Sequence, residues 1–170
     1  GYTVSEMLAA NPALWHTRKA RMRSDFAGEP SPVAVQIAGS EPDWMAQATA
    51  KAAGYGYDEI NINVGCPSDR VQSGQFGACL MANPALVADC FKAMQKEIDA
   101  PVTVKSRIGI NDQDSYEFLV DFVEPLFLVI VAAEDLDHTV TRDDFFGDLR
   151  DLANRILDTT AVAAERNAEN

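Results

Sequence analysis

A chain of 170 residues with 47% apolar side chains, two Trp and eight Phe has enough apolar surface for one globular domain with a core. Its formal charge of −12 is the wrong sign for a broad nucleic-acid surface, because affinity for a phosphate backbone comes mainly from Lys and Arg displacing counterions. The three cysteines include no CxxC pair, which argues against a disulfide framework and against a zinc site. No run approaches the roughly 18 consecutive apolar residues of a membrane span. The N-terminus has no basic region followed by an apolar stretch, so a cytoplasmic address, no metal and no membrane partner are the expectations.

Tyr2-Thr3-Val4-Ser5 is a short β-prone run. Asn11-Pro12 then offers an N-cap with proline at the first helical position, and Ala13 to Arg23 reads as helix. Gly28-Glu29-Pro30-Ser31-Pro32 breaks it. That helix carries the one basic cluster, His16, Arg18, Lys19, Arg21 and Arg23, either a solvated helix face or an RNA contact. Val33 to Ala38 is a nearly continuous apolar run of strand length, the pattern of a strand covered on both faces. Its one polar residue, Gln36, must be satisfied by neighbouring polar groups or aimed at a ligand, since an orphaned buried amide costs on the order of 1–3 kcal/mol. Ser40-Glu41-Pro42-Asp43 starts a helix that runs to Ala53, and Gly54-Tyr55-Gly56 closes it.

Ile60, Ile62 and Val64 alternate with Glu59, Asn61 and Asn63, a half-buried strand stopped by Gly65-Cys66-Pro67. Cys66 therefore sits just past the C-terminal end of a strand, the end at which parallel α/β folds bind ligands and do chemistry. Gln72 to Leu80 is a glycine-bearing loop suited to wrapping over something bound beside Cys66. Asn83-Pro84 begins a helix in which Leu86, Val87, Cys90, Phe91, Met94 and Ile98 fall at helical spacing. Cys90 belongs to that stripe and reads as a core thiol; Cys79 reads as structural, with its loop leaving it an alternative nucleophile. Pro101 to Lys105 is the next strand, and Lys105 at its end needs a partner or solvent. Strand and helix alternate at the spacing of parallel βαβ units. Asp114 to Val123 reads as helix broken by Pro125, and Leu126 to Ala133 reads as a fifth, buried strand. After it, Phe145, Leu149, Leu152 and Ile156 mark an amphipathic helix suited to covering the sheet. Residues 124–170 hold 11 acidic and 4 basic side chains.

The segment Asn61-Ile62-Asn63-Val64-Gly65-Cys66-Pro67-Ser68-Asp69-Arg70-Val71-Gln72, continued by Phe76-Gly77-Ala78-Cys79-Leu80-Met81, resembles the signature of the tRNA-dihydrouridine synthases. Ser5-Glu6-Met7, Pro32 to Gly39 and Pro101 to Gly109 agree with it, in the family's order. The resemblance covers residues 1 to about 123. It implies an α/β fold, a partial (β/α)8 TIM-type barrel of parallel strands in which the opening run stands at the second strand and the first and last strands are missing. A complete barrel typically needs roughly 250 residues. Residues 1–123 are then a partial flavin-binding barrel domain, and 124–170 a divergent strand plus an acidic helix packed on the same domain. Five strand-like segments leave parallel edges open, inviting self-association. The family ends the strand after Pro125 with a His-Ala-Arg or His-Gly-Arg segment, where this chain has Ala132-Ala133-Glu134; His138 is out of register and inherits no role.

The implied activity is FMN-dependent reduction of uridine to dihydrouridine in tRNA, with NADPH as reductant. A nicotinamide reduces the flavin, hydride passes to C6 of uracil, and a cysteine protonates C5. Cys66 matches that acid. A neutral thiol suits the role, because the unperturbed thiol pKa is about 8.5. Lys105, Gln36 and Asn63 match cofactor or substrate contacts, and Arg107 a position near flavin or RNA. Arg18, Lys19, Arg21, Arg23 and Arg70 are the candidate tRNA contacts, weak because the chain is acidic. Two alternatives stay open: a non-catalytic fragment or interaction domain retaining barrel signatures, and another barrel flavoenzyme acting on a free pyrimidine.

Overall fold

The computed structural model describes residues 3–10, 32–66, 76–110, 112–113, 115–133 and 143–151. Four strands form one sheet: β1 (Thr3–Ala9), β2 (Val33–Ala38), β3 (Glu59–Val64) and β4 (Val102–Ser106). They lie in chain order, and every neighbouring pair is parallel. Helix α1 (Pro42–Ala53) connects β2 to β3; a 3-10 turn (Gly77–Ala82) and helix α2 (Pro84–Gln95) lead from β3 to β4. Helix α3 (Tyr116–Ala133) follows, and a last helix, α4, spans 143–151.

Local chemistry explains most boundaries. Proline stands at the first helical positions of α1 and α2, where its missing N–H costs nothing. The Asn83 side chain accepts a hydrogen bond from the Leu86 N–H at 3.3 Å, capping α2. Gly56 closes α1 with φ of 68°, a backbone state cheap only for glycine. At the start of β2, Asp58 accepts from Val33 N–H at 2.8 Å while its own N–H donates to the Val33 carbonyl at 3.0 Å, locking β3 onto β2.

The two faces of the sheet differ. Val33, Val35, Ile37, Ile60, Ile62, Val64 and Val102 are buried and form one core with Met45 of α1, Val87, Phe91 and Met94 of α2, and Phe122 and Leu126 of α3. The opposite parity presents Gln36, Glu59, Asn61, Asn63, Thr103 and Lys105. Register places Gln36, Asn61 and Thr103 in one row, with Asn63 and Lys105 in the next. As expected for a strand covered on both faces, all of β2 is buried.

Leu126 to Ala133 is not a strand. It continues α3, and Pro125 lies inside the helix rather than ending it. An apolar run of eight residues has no period that separates a buried strand from a buried helix, and here packing decides. Leu119, Phe122 and Leu126 bury at helical spacing across the proline, with Phe118 and Val123 beside them. That burial offsets the hydrogen bond Pro125 cannot donate. The described residues therefore contain four strands, not five.

Among the described residues, helix α4 packs on α3. Phe127 lies 4.7 Å from Phe145 and 5.8 Å from Phe146 between ring centroids. Tyr116 Oη donates to the Phe146 carbonyl at 2.9 Å, and the Arg150 guanidinium sits 4.8 Å over the Tyr116 ring. Leu152 and Ile156, the rest of the expected apolar stripe, lie outside the described residues. No helix among the described residues is long and apolar enough to cross a membrane.

Candidate functional site

Because all four strands are parallel, their C-terminal ends gather at one edge. At that edge Gly39 follows β2 so tightly that an added Cβ would stand 2.6 Å from Ala10 Cβ and 2.9 Å from Met45 Sδ. Only glycine fits there without moving its neighbours. The turn Gly65-Cys66 follows β3, Lys105 lies near the C-terminal end of β4, and Arg107 follows it.

Cys66 is half-buried, and two contacts hold its backbone. Its N–H and that of Gly65 both donate to Asn63 Oδ1 at 3.0 Å. Its carbonyl accepts from the Ala78 N–H, also at 3.0 Å, so the chain returns to Cys66 after the loop. Gly77, with φ of 75°, makes that return possible. Lys105 lies against the same turn: a Cβ built on Gly65 would meet Lys105 Nζ at 3.6 Å. Lys105 is exposed, and among the described residues it makes no ion pair. Of the two roles open to a strand-end lysine, the structure shows the one that reaches solvent.

Beneath the turn, Gln36, Asn61 and Asn63 are 8–9% exposed, and their amides engage one another. Gln36 Nε2 donates to Asn61 Oδ1 at 2.7 Å, and Gln36 Oε1 accepts from Asn63 Nδ2 at 2.6 Å. Asn61 Nδ2 donates to Thr103 Oγ1 at 2.8 Å, and the Thr103 hydroxyl donates to Glu59. Gln36 thus has polar neighbours at both ends of its amide. Glu59 and Thr103 were not among the residues expected from sequence, although Thr103 shares the parity of Lys105 and so faces the same side.

The other thiols are placed differently. Cys90, 2% exposed, lies in the core on α2 as expected. Burial, with lesser contributions from Asp89 and Glu41, pushes its pKa up from 9.0 to about 12. Cys79 Sγ donates to the Phe76 carbonyl at 3.2 Å, within the 3-10 turn. Arg107 is exposed just past β4. Arg18, Lys19, Arg21, Arg23, Arg70 and His138 lie outside the described residues. No metal-binding cluster occurs among the described residues.

The arrangement can hold a polar, planar ligand. Amides and an exposed cation, without an ion pair among the described residues, converge on the strand ends, and a thiol lies on a turn whose backbone is held at both its N–H and its carbonyl. Those are groups that suit a flavin: amides for its ring edge and a cation for negative charge on it.

The family model for dihydrouridine synthase (Dus) matches residues 1–127. The chain is 66% identical over 95 residues to the tRNA-dihydrouridine(20/20a) synthase of Vibrio vulnificus, covering 56% of this chain and 29% of that protein. To the protein of the same name in Escherichia coli strain K12 it is 63% identical over 98 residues, 58% of this chain and 28% of the relative. To that of a Synechocystis species it is 56% identical over 120 residues, 71% and 35% respectively. The chain thus spans about a third or less of the length of these relatives.

Proposed function

The chain belongs to the dihydrouridine synthase family, and from that premise we propose that it carries the FMN site and the acid of a tRNA-dihydrouridine synthase, reducing uridine in tRNA to dihydrouridine with NADPH as reductant. The observation that supports this most is the meeting of Lys105 Nζ with the Gly65-Cys66 turn at the C-terminal edge of the strands. The four parallel strands are read as part of a (β/α)8 barrel, with β1 at the second barrel position. Residues 1–123 form the flavin-binding part. Residues 124–170 pack on the same domain, a reading supported by Leu126 lying in the common core.

Lys105, Gln36, Asn63 and Arg107 hold the cofactor in this proposal. When bound, FMN supplies the hydride chemistry that no side chain of the protein can. Lys105 offsets negative charge on it, and Gln36 and Asn63 flank it as the polar side chains of adjacent strands, held in place by their mutual hydrogen bond. Cys66 Sγ is the acid that delivers a proton to C5 of uracil. Arg18, Lys19, Arg21, Arg23 and Arg70 contact tRNA weakly and with strong salt dependence, since the chain's net charge opposes the phosphates. β1 and β4, the outer strands among the described residues, are where a second copy would add.

The test is a flavin absorption band in the purified protein, then single-turnover oxidation of prereduced flavin by unmodified tRNA. Cys66→Ala is expected to keep the fold and the flavin, accept electrons from NADPH, and fail at the uracil step. Unimpaired oxidation in that variant removes Cys66 from the mechanism. Oxidation by free uracil in place of tRNA transfers the reading to a pyrimidine reductase, and a colourless protein returns it to a non-catalytic fragment.

A further inference from the structure

The polar face of the sheet carries one unbroken series of hydrogen bonds that begins far from the Cys66 turn and ends on it. Its members are Glu59, Thr103, Asn61, Gln36 and Asn63, drawn from three strands, followed by the N–H groups of Gly65 and Cys66.

The two ends of the series have only one chemistry each. A carboxylate accepts and backbone N–H groups donate, whereas a threonine hydroxyl and the asparagine and glutamine amides between them can each turn either way. Glu59 makes the Thr103 hydroxyl its donor, which leaves Thr103 Oγ1 as acceptor for the Asn61 amide. Asn61 then turns its oxygen to Gln36, Gln36 turns its oxygen to Asn63, and Asn63 turns its oxygen to the turn. From the other end, Gly65 and Cys66 require that same oxygen. The ends agree, so a single direction satisfies every member. Each bond in such a directed series polarises the next, and the last acceptor is the atom that holds the backbone of Cys66.

We propose that Glu59 and Thr103 are positioning residues for the Cys66 turn, acting through Asn61, Gln36 and Asn63. Neither touches the turn itself. The carboxylate at the head of β3 sets the direction of the series, and Thr103 transmits it from the neighbouring strand. The consequence for proton delivery rests on the proposed role of Cys66; the positioning does not.

Backbone hydrogen exchange in the whole chain, read at Gly65 and Cys66 with Ile62 as the internal control, tests this. Thr103→Val keeps the shape and removes the hydroxyl, so Gly65 and Cys66 are expected to exchange about tenfold faster relative to Ile62. Thr103→Ser, which restores the hydroxyl, returns the parent ratio. Glu59→Gln keeps an acceptor but loses the charge, and a smaller rise of about threefold is expected. If Thr103→Val does not fold, the Glu59→Gln ratio decides, because Glu59 is half-buried at the sheet end. Rates at Gly65 and Cys66 that stay at the parent value, or rise only in step with Ile62, overturn the proposal and leave these residues a merely structural role. In flavin-loaded protein the same variants slow flavin oxidation by tRNA at unchanged flavin content. A colourless protein refutes the flavin reading and leaves the exchange comparison standing.

Discussion

Ile60, Ile62 and Val64 alternate along β3 with Glu59, Asn61 and Asn63, and the two sets are held by different physics. The apolar set is 0–1% exposed and packs under α1, α2 and α3. Such contacts are non-directional and scale with the area removed from water. The polar set is held by directional bonds in which each amide must present the correct end. One face keeps the domain folded; the other orients the turn that carries Cys66. Substitutions on the two faces should therefore fail in different ways.

The largest expected effect is on the apolar face. Ile62→Ala leaves a cavity under the helices and should cost about 2–5 kcal/mol, read as a drop in the denaturation midpoint with the slope unchanged. A loss below about 1 kcal/mol would mean that the helix layer collapses onto the gap. On the polar face, Asn61→Leu strands the Gln36 Nε2 group and takes from Thr103 Oγ1 the donor it accepts, at about 1–3 kcal/mol. Here the diagnostic is faster exchange at Gly65 beyond what the global loss explains.

Charge sharpens the same contrast. The Cys90 thiol lies in the apolar layer, and its pKa is about 12 against an ordinary 9.0. Between those values the folded protein keeps a proton that the unfolded chain has released, so stability falls as pH rises through that window. The slope is at most about 1.4 kcal/mol per pH unit. Cys90→Ala should flatten this part of a denaturation-against-pH curve. The smallest effect concerns Thr49, fully buried in α1 with its Oγ1 unpartnered among the described residues. Thr49→Val should stabilise by about 1 kcal/mol; a destabilised variant in chemical denaturation would show that the hydroxyl has a partner after all.

Much of the site was legible in the sequence because its signals are local. Period-two alternation placed β3 and set Asn63 and Ile62 on opposite faces, and Gly65-Cys66-Pro67 marked the end of the strand. The Asn83-Pro84 and Pro42 starts marked the helices, because caps and proline act within a few residues of themselves. Cys90 read as core from helical spacing alone, and it is buried.

Three matters were decided only by tertiary structure. Leu126 to Ala133 satisfies strand and helix patterns equally, and it became helix because Leu119, Phe122 and Leu126 found the core at helical spacing despite Pro125. Gln36 had two open fates in the sequence; the parallel register put Asn61 and Asn63 at its two ends. Neither Glu59 nor Thr103 was assigned a role from the sequence, and their link to Cys66 exists only because β3 and β4 pair with Asn61 opposite Thr103. A chain of side-chain hydrogen bonds across strands has no period along any one of them, so register alone brings it into being.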